Sequence, residues 1–236
     1  MIIFRIDLGH KYGLGHYSRI KSLIKHLDLK RYKIVIDKFS DGSFLSQENN
    51  NIISLYQKNK TFKNELEDSK LFINLLRTKY KNSIIIKDSY RLNYKWEKNI
   101  KKYCKKIISI DDSIENNHYS DIYINHNPNF SNKNIELIKK LKIKNKKKCN
   151  FLLGPDYALF DITLKKTKIV NSDFVFYNGG SGDMVIYKKI IEELNKIKKF
   201  KITLIIGPYV KDYKTICKKY KNFKNINIIY KPENIL

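Results

Sequence analysis

The chain opens with the stretch MIIFRIDLGHKYGLGHYSRIKSLIKHL, residues 1–27, and this stretch decides the fold. Its first part is almost continuously apolar and predicts a buried strand over Met1–Asp7. Apolar side chains then recur at the spacing of one helix face. They are Ile20, Leu23, Ile24 and Leu27. We therefore expect a helix over His16–Leu27 that turns this face toward the core.

A turn with three glycines, Gly9, Gly13 and Gly15, joins this strand to this helix, and His16 follows directly. Glycines at such a turn let the backbone approach a ligand and direct N–H groups at it. An imidazole at the start of the helix would then lie at the edge of that ligand. The pattern predicts a site for a phosphorylated ligand, although the spacing is not that of the dinucleotide fingerprint. The alternative is a tight turn that happens to carry a histidine.

Length and composition fit one large domain or two modest ones, because 236 residues with 42% hydrophobic side chains can bury a sizeable core. No apolar run approaches the length of a membrane span, and no signal-peptide pattern precedes the first strand. The three cysteines are far apart and odd in number, which fits neither a disulfide framework nor a zinc site. A reducing cytoplasm is the expected location.

The net charge of +25 suggests nucleic-acid binding at first sight. Only five of the 48 basic residues are arginine, however, and the lysines are dispersed. Proteins that read nucleic acid specifically favour arginine forks and clustered patches. We therefore expect no nucleic-acid partner, and the charge is expected only to help attract an anionic ligand.

Strand-like and helix-like segments alternate along the whole chain. Further strands are predicted at Tyr32–Ile36, Ile52–Tyr56, Ser83–Lys87, Lys106–Ile110, Asp121–Asn125, Asp173–Tyr177, Lys201–Ile206 and Asn225–Tyr230. Further helices are predicted at Lys63–Tyr80, with Leu66, Phe72, Leu75 and Leu76 inward, at Tyr94–Cys104, from Asp183 to Lys196 and around Lys211–Tyr220. The basic run Lys139–Lys148 is expected to be an exposed connection. This alternation predicts an α/β fold with parallel sheets.

The alternation begins again after a polar, lysine- and threonine-rich stretch, which predicts two domains. We expect an N-terminal Rossmann-like domain over residues 1–160, a linker over 161–171, and a partial C-terminal nucleotide-binding domain over 172–236. Each half opens with a strand and a glycine-rich turn, as in a two-domain scaffold of the glycosyltransferase-B type with its ligand between the halves. The second domain is expected to be incomplete, because the chain stops at what resembles the first turn of another helix, at 232–236.

Five motifs in this order resemble a known family. They are Phe4-Arg5-x-Asp7-x-Gly9 running into Gly13-x-Gly15-His16-x-x-Arg19; Lys87-Asp88-Ser89-Tyr90; Asp111-Asp112 with Asp121 and Asn125 after it; Gly154-Pro155-Asp156-Tyr157-Ala158-Leu159; and Gly179-Gly180-Ser181-Gly182-Asp183. Together they resemble the UDP-sugar hydrolases of pseudaminic acid biosynthesis, the UDP-2,4-diacetamido-2,4,6-trideoxy-β-L-altropyranose hydrolases. That family is related in fold to the lipid-II-forming N-acetylglucosaminyltransferase.

The resemblance implies hydrolysis of a UDP-sugar without metal or cofactor, with C–O cleavage and inversion at the anomeric carbon. The family's motif histidine falls on His16, which is then the base that activates water. Its active-site tyrosine falls on Tyr90. The product would be a free sugar for a nonulosonic acid of surface glycans. The residues expected to contact substrate are Asp7, Gly13, Gly15, Arg19, Tyr90, Tyr157, Gly179, Gly180 and Ser181.

Structural alternatives stand beside these assignments. His16 could serve only as a helix cap, and Tyr157 could pack at a domain seam instead of touching substrate. Asp88 and Asp112 are expected to cap loops rather than to act in catalysis, and Asp111-Asp112 lacks the supporting ligands of a metal pair. His10, His26 and His118 are assigned no role, and the sequence carries no signal of oligomeric state.

The sequence also departs from the family pattern. Tyr12 stands where a hydrophobic residue is usual, and Phe160-Asp161 replaces a basic residue. The family continues beyond the equivalent of Glu233 through a segment that grips uridine and ribose. Two rivals to hydrolysis therefore remain: a UDP-sugar-dependent glycosyltransferase on the same scaffold, and an inactive nucleotide-sugar-binding fragment.

Overall fold

The computed structural model describes residues 1–38, 50–57, 60–113, 116–128, 135–140, 148–160, 172–197, 199–211, 213–221 and 223–230. The strands are β1 (Ile2–Ile6), β2 (Tyr32–Ile36), β3 (Ile52–Ser54), β4 (Ile84–Asp88), β5 (Lys106–Ile110), β6 (Ile122–Asn125), β7 (Asn150–Leu153), β8 (Phe174–Tyr177), β9 (Ile202–Ile206) and β10 (Ile226–Tyr230). The helices are α1 (Gly15–His26), α2 (Glu65–Thr78), α3 (Tyr94–Ile100), α4 (Ile135–Lys140), α5 (Met184–Lys196) and α6 (Tyr213–Tyr220). Short 3-10 turns lie at Lys101–Tyr103 and Pro155–Tyr157.

The described residues form two compact units. Unit 1 comprises Met1–Asp7 with Arg19–Phe160, and unit 2 comprises Leu8–Ser18 with the described residues after Asp161. Each unit is built on its own parallel sheet, so the predicted α/β class with two Rossmann-like halves is confirmed. The predicted linker, residues 161–171, and the helical turn expected at 232–236 lie outside the described residues.

The sheet of unit 1 has the order β3-β2-β1-β4-β5-β6-β7, with every pair parallel. Its central strands are runs of β-branched residues because both faces of a parallel sheet are covered. Ile3 of β1, Ile85 of β4 and Ile107 of β5 lie side by side in register and are all fully buried. They pack on the apolar faces of α2 and α3, where Phe72 and Trp96 meet with ring centroids 5.0 Å apart.

Helix α2 shows why these segments become helices. Asn64 caps its start by accepting a hydrogen bond from Glu67 N (3.0 Å), and the first turn is acidic, which favours the positive end of the helix dipole. Phe72 and Leu76 lie one turn apart on one face and are fully buried. The sequence therefore fixes both where the helix begins and which side faces the sheet.

The sheet of unit 2 has the order β10-β9-β8, again all parallel. Its core lies between β9 and the helices α5 and α6, where Tyr187, Ile191, Leu204 and Ile216 are buried. Asp183 caps α5 by accepting from Val185 N (2.8 Å).

Three expectations need correction. Leu27 and Leu66 were predicted to face the core, but they are 55% and 54% exposed, because α1 ends at His26 and Leu66 lies in the solvent-facing first turn of α2. The connection expected around Lys139–Lys148 includes the end of helix α4, and residues 141–147 of it lie outside the described residues. Strand β7 follows that run and was not predicted, because four residues carry too little periodicity.

Candidate functional site

The carboxyl ends of β1 and β4 form the position at which a parallel sheet of this order binds ligands. The chain builds the sheet outward from β1 in one direction through β2 and β3, then returns to place β4 on the other side of β1. In parallel sheets of this order, ligands bind at the carboxyl ends of the two strands from which the chain continues in opposite directions. Asp7 follows β1 there, and Asp88 ends β4.

Asp7 holds the loop that follows β4. Its carboxylate accepts hydrogen bonds from Ser89 Oγ (2.9 Å) and Tyr90 N (3.2 Å), and it pairs with the Arg91 guanidinium through Nε (3.1 Å) and Nη2. Asp7 is fully buried. Asp7 therefore fixes Ser89–Arg91, including the backbone of Tyr90, and its predicted contact with substrate stays a prediction.

A network of charged side chains around the buried Arg5 also holds the loop after β4. The Arg5 guanidinium pairs with Asp37 and Asp68 (both 2.6 Å), and Arg91 also pairs with Asp37 (3.0 Å) while it stacks on Phe62 at 4.3 Å. Burial alone would lower the pKa of Arg5, but the surrounding carboxylates outweigh it and the pKa is raised. The network is charged and paired throughout, and its Arg5–Asp68 pair is fully buried, so it holds the loop after β4 in place.

At the carboxyl edge of the sheet in unit 1, three polar side chains contact Asp112, which follows β5. Together with Asp88 and Asp112, they form what we call the rim cluster: Arg19, Asp88, Tyr90, Asp112 and His126. The Asp112 carboxylate accepts from Arg19 Nη1 at 3.0 Å on both oxygens and from the Tyr90 hydroxyl at 2.9 Å. His126 Nε2 lies 3.3 Å from Asp112 Oδ1, and Arg19 Nε lies 3.2 Å from Asp88 Oδ2. These residues come from α1 and from the carboxyl ends of β4, β5 and β6.

The charges of this rim cluster stabilise one another. Burial disfavours the charged form of Arg19, yet Asp88 and Asp112 outweigh that effect and raise its pKa. Partial burial and the hydrogen bond to Asp112 raise the pKa of Tyr90, so its hydroxyl stays protonated and donates to the carboxylate. The cluster is half open, because Tyr90 is 46% exposed and His126 is 29% exposed. It can therefore offer hydrogen-bonding groups to a ligand.

A second, fully buried network lies beneath the same strand ends. His118 is held between two carboxylates, with Nδ1 2.8 Å from Glu97 Oε1 and Nε2 2.8 Å from Asp111 Oδ2. Lys87 Nζ lies 3.1 Å from Glu97, and Ser109 Oγ donates to it at 2.7 Å. Burial would raise the pKa of Glu97, but Lys87 and His118 lower it to about 2. The network ties β4, α3 and β5 to the loop that carries Asp112.

In unit 2, the segment Leu8–Ser18 forms the glycine turn that the sequence predicted. Gly9 and Gly13 have φ of 123° and 70°, values that side chains rarely allow, and Gly13 N donates to Gly9 O at 2.8 Å. Helix α1 begins at Gly15, so His16 lies in its first turn as predicted. The His16 side chain is only 2% exposed, which differs from the accessible imidazole that we expected.

The second glycine motif lies in the same unit, between β8 and α5. Gly179 has φ of 69°, and a Cβ built at Gly180 would lie 3.0 Å from the Leu14 side chain. A Cβ at Gly13 would lie 3.5 Å from Ser181 Oγ. Unit 2 thus brings the predicted residues Gly13, Gly179, Gly180 and Ser181 together around Leu14.

The remaining predicted residue, Tyr157, lies in unit 1, in the 3-10 turn after β7. Gly154 precedes it with φ of 100° and accepts from Tyr157 N at 3.1 Å. The predicted residues of unit 1 that the structure joins are Asp7, Arg19 and Tyr90, through the loop after β4 and through Asp112.

A separate cavity of about 690 Å³ lies at the opposite edge of the sheet in unit 1, at the amino ends of β4 and β5. Its lining includes Arg77, Lys81 and Lys102, all on the surface. Ligands of such sheets bind at the carboxyl ends of the strands, so we place the candidate site at the rim cluster instead. Within the described ranges no group of three or more His, Cys, Asp or Glu side chains could hold a metal ion.

Sequence analysis missed the pairing of Asp112 with His126. Both residues lie within two positions of the end of a predicted strand, and the carboxyl ends of neighbouring parallel strands share one edge. That rule could have joined them. The partners of Glu97 and His118 had no comparable signal, because α3 and the loop before β6 meet only in the folded chain.

Comparisons with known proteins place these features in context. No protein-family model matches the chain. An uncharacterized protein of Methanocaldococcus jannaschii is 21% identical over 243 residues, which cover 94% of this chain and 46% of that protein. The crystal structure of Acinetobacter baumannii MurG superposes with a TM-score of 0.48 at 9% identity, covering 98% of this chain and 66% of that one.

The chain therefore spans about half the length of the curated relative that it matches. Among the helices of the described residues, we find none that combines the length and apolar character needed to cross a bilayer.

Proposed function

We propose that this chain acts on a nucleotide sugar, and that it hydrolyses a UDP-linked 2,4-diacetamido-2,4,6-trideoxy sugar to UDP and the free sugar. The free sugar would serve the synthesis of a pseudaminic-type nonulosonic acid in the cytoplasm. One observation carries the proposal: the sheet of unit 1 has its switch point between β1 and β4, where α/β proteins bind phosphorylated ligands, and a glycine turn follows β1 directly in the chain.

The glycine turns support the diphosphate part of the proposal. Gly9 and Gly13 adopt left-handed backbone conformations directly before α1, and Gly179 does so before α5. Turns of this kind next to helix starts stabilise phosphate charge with backbone N–H groups that need no rearrangement. Departure of UDP leaves negative charge on the diphosphate, so the same groups favour the transition state.

The rim cluster supports the sugar part of the proposal. The hydroxyl of Tyr90 and the guanidinium of Arg19 both reach the half-open carboxyl edge of the sheet, and the acetamido and hydroxyl groups of such a sugar need donors and acceptors of this kind. In the proposal His16 takes the proton from the attacking water, a role that the family resemblance assigns to it.

The test is turnover of the synthetic UDP-linked sugar with no acceptor present, followed by ³¹P NMR for UDP and by chromatography for the free sugar. His16→Ala is expected to lower turnover by about 10²–10⁴-fold, the range for loss of a general base. His26→Ala is the matched control, because His26 lies at the exposed end of the same helix. Its turnover should equal that of the wild type.

Other outcomes identify the rivals. Release of UDP only when a sugar or lipid acceptor is added would contradict hydrolysis and indicate a transferase. Binding of UDP by calorimetry with no product from any UDP-sugar would indicate an inactive nucleotide-sugar-binding fragment.

A further inference from the structure

We propose that the cavity at the amino ends of β4 and β5 binds a small phosphorylated molecule. The cavity has a volume of about 690 Å³ and lies within unit 1, at the opposite edge of the sheet from the rim cluster. Its nine lining residues come from the end of α2, from the turn before β4 and from the 3-10 turn before β5. None of them is assigned to the hydrolysis, so this inference is independent of the proposed function.

The charge of the lining has one sign. Three of the nine residues are cationic, namely Arg77, Lys81 and Lys102, and none is acidic. No carboxylate among the residues that the structure describes pairs with these three side chains, whereas Lys101, on the same 3-10 turn as Lys102, is paired with Asp121. Cations that share a concave surface reinforce one another's potential. An anion is therefore the ligand that this cavity attracts.

The end of α2 by itself does not account for all three cations. Arg77 lies in the last turn of α2, where positive charge favours the helix dipole. The main-chain oxygens of Leu75 and Leu76 in that turn accept from the N–H groups after the helix, at 3.1 and 3.2 Å, so they do not face an anion unpaired. Lys102 lies outside α2, after α3, and its Nζ is 5.1 Å from the ring centroid of Tyr103. This contact holds the ammonium group without neutralising its charge.

The walls of the cavity are fixed by hydrogen bonds and by the core. Ser83 Oγ donates to Tyr80 O at 2.8 Å and closes the turn before β4. Lys105 N donates to Ser83 O at 2.9 Å, which joins this turn to the start of β5. Tyr103 packs against the hydrophobic core of unit 1. The cavity is therefore formed before a ligand arrives, as sites for small molecules usually are.

Size and polarity define the class of ligand. Sites for small molecules usually have volumes of about 300–1,000 Å³, and a phosphate group fills only part of 690 Å³. Arginine and lysine bind phosphate by charge-assisted hydrogen bonds. Asn74, Asn82 and Tyr103 also line the cavity and supply amide and hydroxyl groups for the rest of the ligand. A concave site of this size fits a phosphorylated metabolite better than the extended backbone of a nucleic acid.

The first test is calorimetric titration of the 236-residue chain with inorganic pyrophosphate at about 0.15 M salt, which screens charges more than about 8 Å away. The wild type should bind. The triple variant Arg77→Gln, Lys81→Gln, Lys102→Gln should bind at least about tenfold more weakly, because it loses charge-assisted hydrogen bonds to phosphate. Far-UV circular dichroism checks that the variant is folded.

The matched control removes the same charge elsewhere in unit 1. Lys63→Gln, Lys70→Gln and Lys95→Gln alter exposed residues at and near α2 and α3 that do not line the cavity. This variant should bind pyrophosphate as the wild type does. Equal weakening in the two triple variants would show that pyrophosphate responds only to the net charge of the chain, and the inference would be wrong.

The second test locates the bound anion. In ¹H–¹⁵N spectra of the wild type, pyrophosphate should shift the backbone amide signals of Asn82 and Tyr103. Shifts confined to Gly13 and Gly179 would place the anion at the glycine turns instead and would overturn the inference.

The same spectra distinguish the two main sources of phosphate. UDP represents a nucleotide and glucose 1-phosphate a sugar phosphate, and the ligand of the matching class should shift the amides of Asn82 and Tyr103 at lower concentration than inorganic phosphate does. If neither does, the cavity attracts anions without selecting a phosphorylated molecule, which contradicts the inference. None of these measurements uses turnover, so failure of the hydrolase proposal would leave their results unchanged.

Discussion

Replacement of Glu97 by glutamine should destabilise unit 1 by about 3 kcal/mol. Glu97 is fully buried and every described contact to its carboxylate comes from a donor, namely Lys87, Ser109, His118 and the backbone N–H of Tyr119. An amide of the same shape keeps one accepting oxygen but turns an NH₂ group toward these donors. Lys87 and His118 would then lose the negative charge that they are buried against.

Two arguments give the magnitude. The neighbouring charges lower the pKa of Glu97 to about 2, and each pH unit of such lowering corresponds to about 1.4 kcal/mol of stabilisation of the ionised form. The ionised carboxylate therefore contributes about 3 kcal/mol. Independently, removal of one partner from a buried ion pair typically costs about 3–5 kcal/mol. The two estimates agree in order of magnitude.

The assay is urea unfolding followed by the fluorescence of Trp96, which is fully buried in unit 1 next to Glu97 in the chain, and by far-UV circular dichroism. With a slope of about 2 kcal/mol per molar urea, the midpoint of Glu97→Gln should fall by about 1–2 M. The matched control is Glu136→Gln, whose partner Lys139 and own side chain are both largely exposed. Its effect should be below about 1 kcal/mol.

The stabilisation by the Glu97 carboxylate depends on pH in a definite direction. A carboxyl group whose pKa is lower in the folded state stabilises the protein above its unfolded pKa, near 4.3, and loses that contribution as the pH falls toward the folded value of about 2. The difference in stability between wild type and Glu97→Gln should therefore be constant near pH 7 and shrink between about pH 4.5 and 2. Equal midpoints for Glu97→Gln and Glu136→Gln at pH 7 would refute the reasoning.

Two further predictions concern the glycine turn and the cysteines. Gly13→Ala should lower the free energy of unfolding by about 1–2 kcal/mol, because Gly13 has φ of 70° while its added Cβ meets Ser181 only at an ordinary distance. Thermal unfolding measures this loss. In the control, Gly15→Ala, the added Cβ lies in open space, so the stability should be nearly unchanged. Equal losses in both variants would contradict the assignment of strain to the backbone. Burial raises the pKa of the Cys104 thiol to about 12 and of Cys149 to about 11, so iodoacetamide at pH 8 should label neither within an hour when peptides are analysed by mass spectrometry. Rapid labelling of either thiol in the folded protein would show that it is accessible as thiolate.

Much of the local structure followed from the sequence, because periodicity and turn chemistry depend on neighbours along the chain. The strands Tyr32–Ile36 and Lys106–Ile110 have the predicted bounds. The glycine turn before α1 and the cap of α5 at Asp183 also follow from residue types a few positions apart. The prediction that Leu27 and Leu66 face the core was wrong, because helix spacing alone does not show where the end of a helix leaves the core.

The tertiary structure alone decided which polar groups meet. Strand order places β4 beside β1, so Asp7 pairs with Arg91 across 84 positions of sequence and holds the loop after β4. It also places the ends of β5 and β6 side by side, which pairs Asp112 with His126. Such pairings depend on the order of distant strands in the sheet. Hydrophobic patterns are alike for every buried strand, so they do not determine that order.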